Sequence, residues 1–170
     1  MELDTAENDT IPTGPAHAVL DSPVGPLTLV AQDGALTRLL MEERPGAPAP
    51  DGSADAAVLA EAARQLREYF DGGRTGFDLP LRPSGTAFQR QVWAELAAVP
   101  YGGTVTYGEL AERIGRGPSS ARAVGSANGA NPIALVIPCH RVVGADGGLT
   151  GYEWGVDRKR FLLDLERDGG

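Results

Sequence analysis

The chain contains one cysteine, Cys139, in Pro138-Cys139-His140-Arg141-Val142, directly after the apolar run Ile133 to Ile137. A cysteine attacks as its thiolate, and a neighbouring base or cation lowers the cost of forming that thiolate. A lone thiol beside an imidazole, delivered by what reads as a buried strand, has the parts of a sulfur nucleophile. The competing reading is a small buried hydrophobe that happens to precede a histidine. One cysteine excludes a disulfide within the chain and any Cys-rich zinc site. His17 is the only other histidine, so no cluster with metal-ligand spacing can be assembled, and no metal or other cofactor is expected.

The elements that would position Cys139 fall into two lobes. Residues 1–15, rich in Asp, Glu, Thr, Pro and Gly, read as a disordered tail. Residues 16–80 read as a small antiparallel sheet with one helix. The strands are Ala16 to Leu20, Leu27 to Ala31 and Leu36 to Met41, and Asp33-Gly34 between the last two is a hairpin signal. Val58, Leu59, Ala62, Leu66, Tyr69 and Phe70 recur at helical spacing, which predicts a helix over Ala54 to Phe70. Nothing in this lobe suggests chemistry.

After a linker, residues 85–167 read as a mostly helical domain. Phe88, Val92, Leu96 and Val99 form one apolar stripe. Thr106-Tyr107-Gly108-Glu109 has the spacing of a capping box, so a short helix starts there and stops near Gly115. Ser119 is the expected N-cap of a second short helix running to about Asn128. Two short helices joined by a Gly-containing turn read as a helix-turn-helix. The second of them is built of small residues around a single arginine, Arg122. Such a helix fits close approach to a narrow groove, or tight packing on its own core. The fold class expected is α/β, of the α+β kind: a sheet-and-helix lobe followed by a helical lobe with a winged-helix-like helix-turn-helix.

The segment Asn131 to Gly144 resembles the active-site segment of the O6-alkylguanine-DNA alkyltransferases. The resemblance extends upstream through Pro100-Tyr101-Gly102-Gly103-Thr104-Val105-Thr106-Tyr107 and Ala121-Arg122-Ala123-Val124-Gly125. Downstream it takes in Gly151-Tyr152 and the final helix through Glu166. It implies repair of DNA by direct transfer of an alkyl group from O6 of guanine, and as an alternative from O4 of thymine, to Cys139. The product thioether is not hydrolysed, so the protein would act once as a monomer. The target nucleotide must first leave the stack.

The resemblance also distributes roles. Cys139 is the nucleophile and acceptor, His140 takes its proton through a water, Glu166 orients the imidazole, and Asn131 braces the turn. Tyr107 contacts the target base. The helix carrying Ser119, Ala123 and Asn128 enters the minor groove, with Arg122 inserted into the base stack. Val142, Val143, Tyr152, Glu153 and Trp154 wall the pocket, where the Trp154 indole either caps the opening or packs beneath it. Arg141, next to the buried run, reads as a structural ion pair rather than a phosphate contact. Phe161, Leu162 and Leu165 are the expected core face of the last helix.

Charge fits this division unevenly. The net charge is −8, and residues 1–81 hold 5 Lys and Arg against 14 Asp and Glu, the remainder 10 against 9. Phosphate neutralisation dominates affinity for nucleic acid, so the acidic lobe is expected to face away from DNA. A free thiol and the lack of a long apolar segment or signal peptide point to the cytoplasm and away from a membrane. Three other functions compete: lesion binding without repair, a Cys-His hydrolase, and a helix-turn-helix regulator sensing through Cys139. The hydrolase would want an oxyanion hole that the sequence does not locate, and the regulator an effector segment for which there is little room.

Overall fold

The computed structural model describes residues 14–149 and 151–169, so the expected tail lies almost wholly outside the described residues. Strands β1 (Ala16–Leu20), β2 (Leu27–Gln32) and β3 (Ala35–Leu40) form an antiparallel sheet in that order. Asp33 and Gly34 turn β2 into β3 with φ of 52° and 78°, the pair of left-handed conformations that a two-residue hairpin demands. Strand β2 is buried along nearly its whole length rather than on alternate residues. Helix α1 (Ala54–Phe70) covers one face through Leu59, Ala62, Leu66 and Tyr69. The loop after β3 lies over His17, whose backbone N–H donates to Ala47 O at 2.8 Å. Gly46 sits against the His17 ring, where a Cβ would come within 2.1 Å of Cγ, so only glycine lets the loop close.

Helix α2 (Ala87–Leu96) starts at a capping box of Thr86 and Gln89, and α3 (Tyr107–Arg113) at one of Thr106 and Glu109. Each box satisfies two otherwise orphaned N–H groups and fixes where its helix begins. Helix α4 (Ala121–Gly129) follows, and Trp93 Nε1 of α2 donates to Ala127 O of α4 at 2.8 Å. Strands β4 (Val105–Thr106) and β5 (Val142–Val143) pair in parallel, and α5 (Val156–Gly169) closes the chain. One continuous apolar core runs from Ala16 through Trp93 to Leu162 and spans both lobes. Among the described residues no helix is long and apolar enough to cross a membrane.

The structure departs from three expectations. The apolar run Ile133 to Ile137 is a folded-back turn and not a strand. Leu135 has φ of 72°, Ile137 N donates to Ile133 O at 3.0 Å, and Ile133 bridges only Leu39. A short apolar run signals burial without fixing backbone shape. Ser119 does not cap α4: it is exposed within a tight 3₁₀ turn, Pro118–Ser120, and Ser120, which precedes the helix, makes no side-chain cap bond. On α5 Phe161 is 39% exposed, and the buried face is Lys159, Leu162 and Glu166. Spacings of three and four residues place those side chains in one stripe, two of them ionisable.

Candidate active site

Cys139 opens a single 3₁₀ turn, Cys139–Arg141, entered through Pro138. Three residues per turn send three consecutive side chains in three directions about 120° apart. Cys139 faces a cavity, while His140 and Arg141 point into the core at one carboxylate. An extended segment would instead have alternated its side chains.

That carboxylate is Glu166, 1% exposed on α5. Its Oε2 accepts from Tyr69 Oη at 2.6 Å, from Arg141 Nη2 at 2.9 Å and lies 2.7 Å from His140 Nε2. Its Oε1 accepts from Arg141 Nε at 2.8 Å, and Arg141 Nη1 donates to Val99 O at 2.7 Å. Burial alone would raise the Glu166 carboxyl, but hydrogen bonds from His140, Arg141 and Tyr69 hold it at about 2. His140 is fully buried, and burial pushes its imidazole below the ordinary value despite the bond to Glu166. A neutral ring that donates Nε2–H to a carboxylate keeps its lone pair on Nδ1. Nδ1 has no partner among the described protein groups.

The cavity holds about 310 Å³, and Cys139, Asn128, Asn131, Tyr107, Tyr152 and Trp154 line it together with Gly125, Gly129, Gly151 and Glu153. Burial raises the Cys139 thiol, and hydrogen bonds from Asn131 and Tyr152 and the charge of Lys159 act in the opposite direction. Asn131 also holds the turn: its Nδ2 donates to Ile137 O at 2.8 Å and its Oδ1 accepts from Ile133 N at 3.0 Å. Asn128 Nδ2 donates to Cys139 O at 3.3 Å. Tyr107 lies against Gly125, where any side chain would touch its ring. Arg122 and Ala123 lie on the exposed face of α4. Trp154 both lines the cavity and packs against the edge of the core.

Val142, expected in the pocket wall, is fully buried and paired with Val105 in the β4–β5 ladder, outside the cavity lining. Its neighbour Val143 lines a different hollow beside Gly102 and Arg160. Parallel pairing with β4 draws both valines away from the sulfur. Two groups around the site were not singled out from sequence. Tyr69 reads from sequence only as part of the core stripe of α1, yet its hydroxyl reaches Glu166 across 97 positions of sequence. Lys159 is fully buried beside the thiol, and its three- and seven-residue spacing to Leu162 and Glu166 was the available signal. Among the described residues no group of His, Cys, Asp and Glu could hold a metal ion.

Residues 87–168 match the model of the 6-O-methylguanine DNA methyltransferase DNA binding domain. Residues 16–83 match that of the 6-O-methylguanine DNA methyltransferase ribonuclease-like domain. The chain is 51% identical over 152 residues to a methylated-DNA–protein-cysteine methyltransferase of Mycolicibacterium paratuberculosis, covering 89% of this chain and 92% of that one. It is 47% identical over 152 residues to one of Methanosarcina acetivorans, covering 88% and 97%. The crystal structure of Mycobacterium tuberculosis OGT in complex with DNA aligns with a TM-score of 0.82 at 46% identity, over 91% of this chain and 94% of that one. With both lobes matched and half the residues shared with curated relatives, this chain belongs to the 6-O-methylguanine DNA methyltransferase family.

Proposed function

We propose that the protein repairs DNA by one irreversible transfer of an alkyl group from O6 of guanine to Sγ of Cys139. One observation carries this reading. Cys139 lines the cavity while its own turn delivers His140, with Nδ1 unpartnered, to the Glu166 carboxylate.

Proton transfer from the thiol to His140, through a water, creates an imidazolium beside Glu166 and a thiolate facing the cavity. The network already contains the Glu166–Arg141 ion pair, so the new pair leaves the buried net charge unchanged. Sγ then forms a bond to the alkyl carbon as the carbon–O6 bond breaks. The electron pair stays on the base, whose N1 takes up the proton that left the sulfur, restoring guanine. A thioether has no path back to thiol by hydrolysis, so each chain reacts once. Burial keeps the resting thiol protonated and protected until a base occupies the cavity.

The DNA partner is duplex carrying O6-alkylguanine, and access requires the nucleotide to leave the stack. The exposed face of α4, with small residues around Arg122, fits the minor groove, with Arg122 filling the gap left by the flipped base. Asn131 braces the nucleophile's turn and Tyr107 contacts the base. Residues 85–167 carry this chemistry, acting as a monomer in the cytoplasm without a cofactor.

The test is intact mass after incubation with a duplex bearing one O6-methylguanine. The chain gains one methyl group, product stops at one equivalent, and Cys139→Ala gains nothing. Product beyond one equivalent, or no mass gain on the native chain, refutes the reading.

A further inference from the structure

In the acidic first lobe Arg44, Arg64 and Arg74 each pair with a glutamate, but Arg38 on β3 forms no ion pair among the described residues. It stands on a β-bulge. Ala31 pairs with Leu36 and Val30 with Arg38, so Thr37 is the extra residue of β3. A plain strand sends neighbouring side chains to opposite faces. The bulge instead leaves Thr37 and Arg38 lining one hollow, between the buried Leu36 and Leu39.

That hollow, of about 660 Å³, also takes in Arg82 and Arg90. Arg82 Nη1 donates to Gln32 O at 3.2 Å, and Arg90 Nη1 donates to Gly85 O. A backbone carbonyl thus steadies each guanidinium, while its other N–H groups remain available to a ligand. No Asp or Glu lines the hollow, and among the described residues none of the three arginines is in an ion pair. In a chain with 23 Asp and Glu against 15 Lys and Arg, this is a local reversal of sign. Three like charges held together repel one another and favour an anion between them.

The place of the hollow in the fold selects among anions. Arg90 lies one turn before Trp93, whose indole holds Ala127 O of α4, and Pro132, just beyond the end of α4, completes the lining. A minor groove is about 6 Å wide, so a helix seated in one has a phosphate strand close on either side.

We propose, on the DNA-repair reading, that Arg38, Arg82 and Arg90 bind backbone phosphates of the duplex beside the end of α4. The first lobe then holds DNA through this hollow, while its acidic remainder stays clear. Arg38 and Arg82 lie outside residues 87–168, the part that matches a DNA binding domain. Guanidinium forks suit phosphate oxygens, and phosphate contacts carry no sequence information. The hollow therefore adds affinity for damaged and undamaged duplex alike.

The test is the salt dependence of binding to an unmodified duplex, read as the slope of log affinity against log salt concentration. Arg38→Gln should lower the slope by about 0.9, the amount expected for one phosphate contact, and Arg38→Lys should retain it. Arg38→Gln, Arg82→Gln and Arg90→Gln together should lower it by about 2 to 3, equally on a duplex carrying O6-methylguanine. An unchanged slope in the triple variant overturns the proposal. Should that variant fail to fold, the exposed Arg38→Gln decides alone, and a slope equal to the native one overturns it. Loss of self-association with the DNA slope intact would assign the hollow to a second copy of the chain and overturn it too. Native protein with no affinity for duplex overturns the DNA-repair reading itself. Native protein that binds and transfers, with variants that keep its slope, overturns the hollow alone.

Discussion

Glu166→Gln changes almost no volume and removes one charge, so its effect can be worked from the hydrogen bonds of the site. The carboxylate accepts from Tyr69, His140 and twice from Arg141. An amide has one acceptor oxygen, so its NH2 must face a donor, and Arg141 is left in the core without its counter-charge. Removing one partner of a buried pair costs about 3–5 kcal/mol. The same hydrogen bonds hold the carboxyl at about 2 against an ordinary 4.5. At about 1.4 kcal/mol per pH unit that difference amounts to about 3 kcal/mol.

Glu166→Gln should therefore lose about 3 kcal/mol at neutral pH, lowering Tm by about 6–12 °C. The sign with pH is definite because the folded value is depressed. The stabilisation is complete above about 4.5 and disappears as pH falls toward 2, so native and variant curves should converge across that window. Urea unfolding of both proteins at a series of pH values measures the gap directly. A loss below about 1 kcal/mol at neutrality, or a gap that does not narrow in acid, would refute the account of the network.

Three further outcomes are expected. Because burial raises the Cys139 thiol, iodoacetamide should label the free protein slowly at neutrality and faster as pH rises; labelling that is already fast and flat with pH contradicts this. Arg122→Ala should slow repair of duplex far more than reaction with free O6-benzylguanine, since an exposed arginine on α4 can act only when DNA is present; equal losses would make it a folding residue. Trp154→Gly should raise reactivity toward benzyl adducts relative to methyl ones by widening a cavity of about 310 Å³, and an unchanged ratio would assign the indole to the core alone.

What the sequence discloses here is what is local. The capping box at Thr106, the Asp33-Gly34 hairpin and the stripe of α1 each depend on residues a few positions apart, and each appears as expected. The reactive segment is different in kind. Ile133 to Ile137 is buried as its apolarity requires, but Leu39 fixes its backbone: Leu39 N donates to Pro132 O at 2.9 Å, from the other lobe. The meeting of His140 and Arg141 on Glu166 likewise follows from the 3₁₀ turn, which an apolar run followed by Pro-Cys-His does not encode in its periodicity. Val142 leaves the expected pocket wall for the same reason, since pairing with β4, 37 positions away in sequence, decides which way it faces.

The same long-range contacts alter the standing of the N-terminal lobe. Its composition suggests no chemistry and its acidity sets it apart from DNA. Yet Tyr69 of α1 supplies one of the donors that keep Glu166 ionised, and β3 anchors the turn that carries Asn131. A helical domain without that lobe would retain the nucleophile, the imidazole and α4. It would lose the Tyr69 donor from the carboxylate that holds His140 and Arg141, and expose the apolar face of the reactive turn. The division of labour is therefore not one lobe for catalysis and one for bulk. The first lobe holds the Glu166 carboxylate from behind through Tyr69, while the second presents the sulfur to the cavity in front.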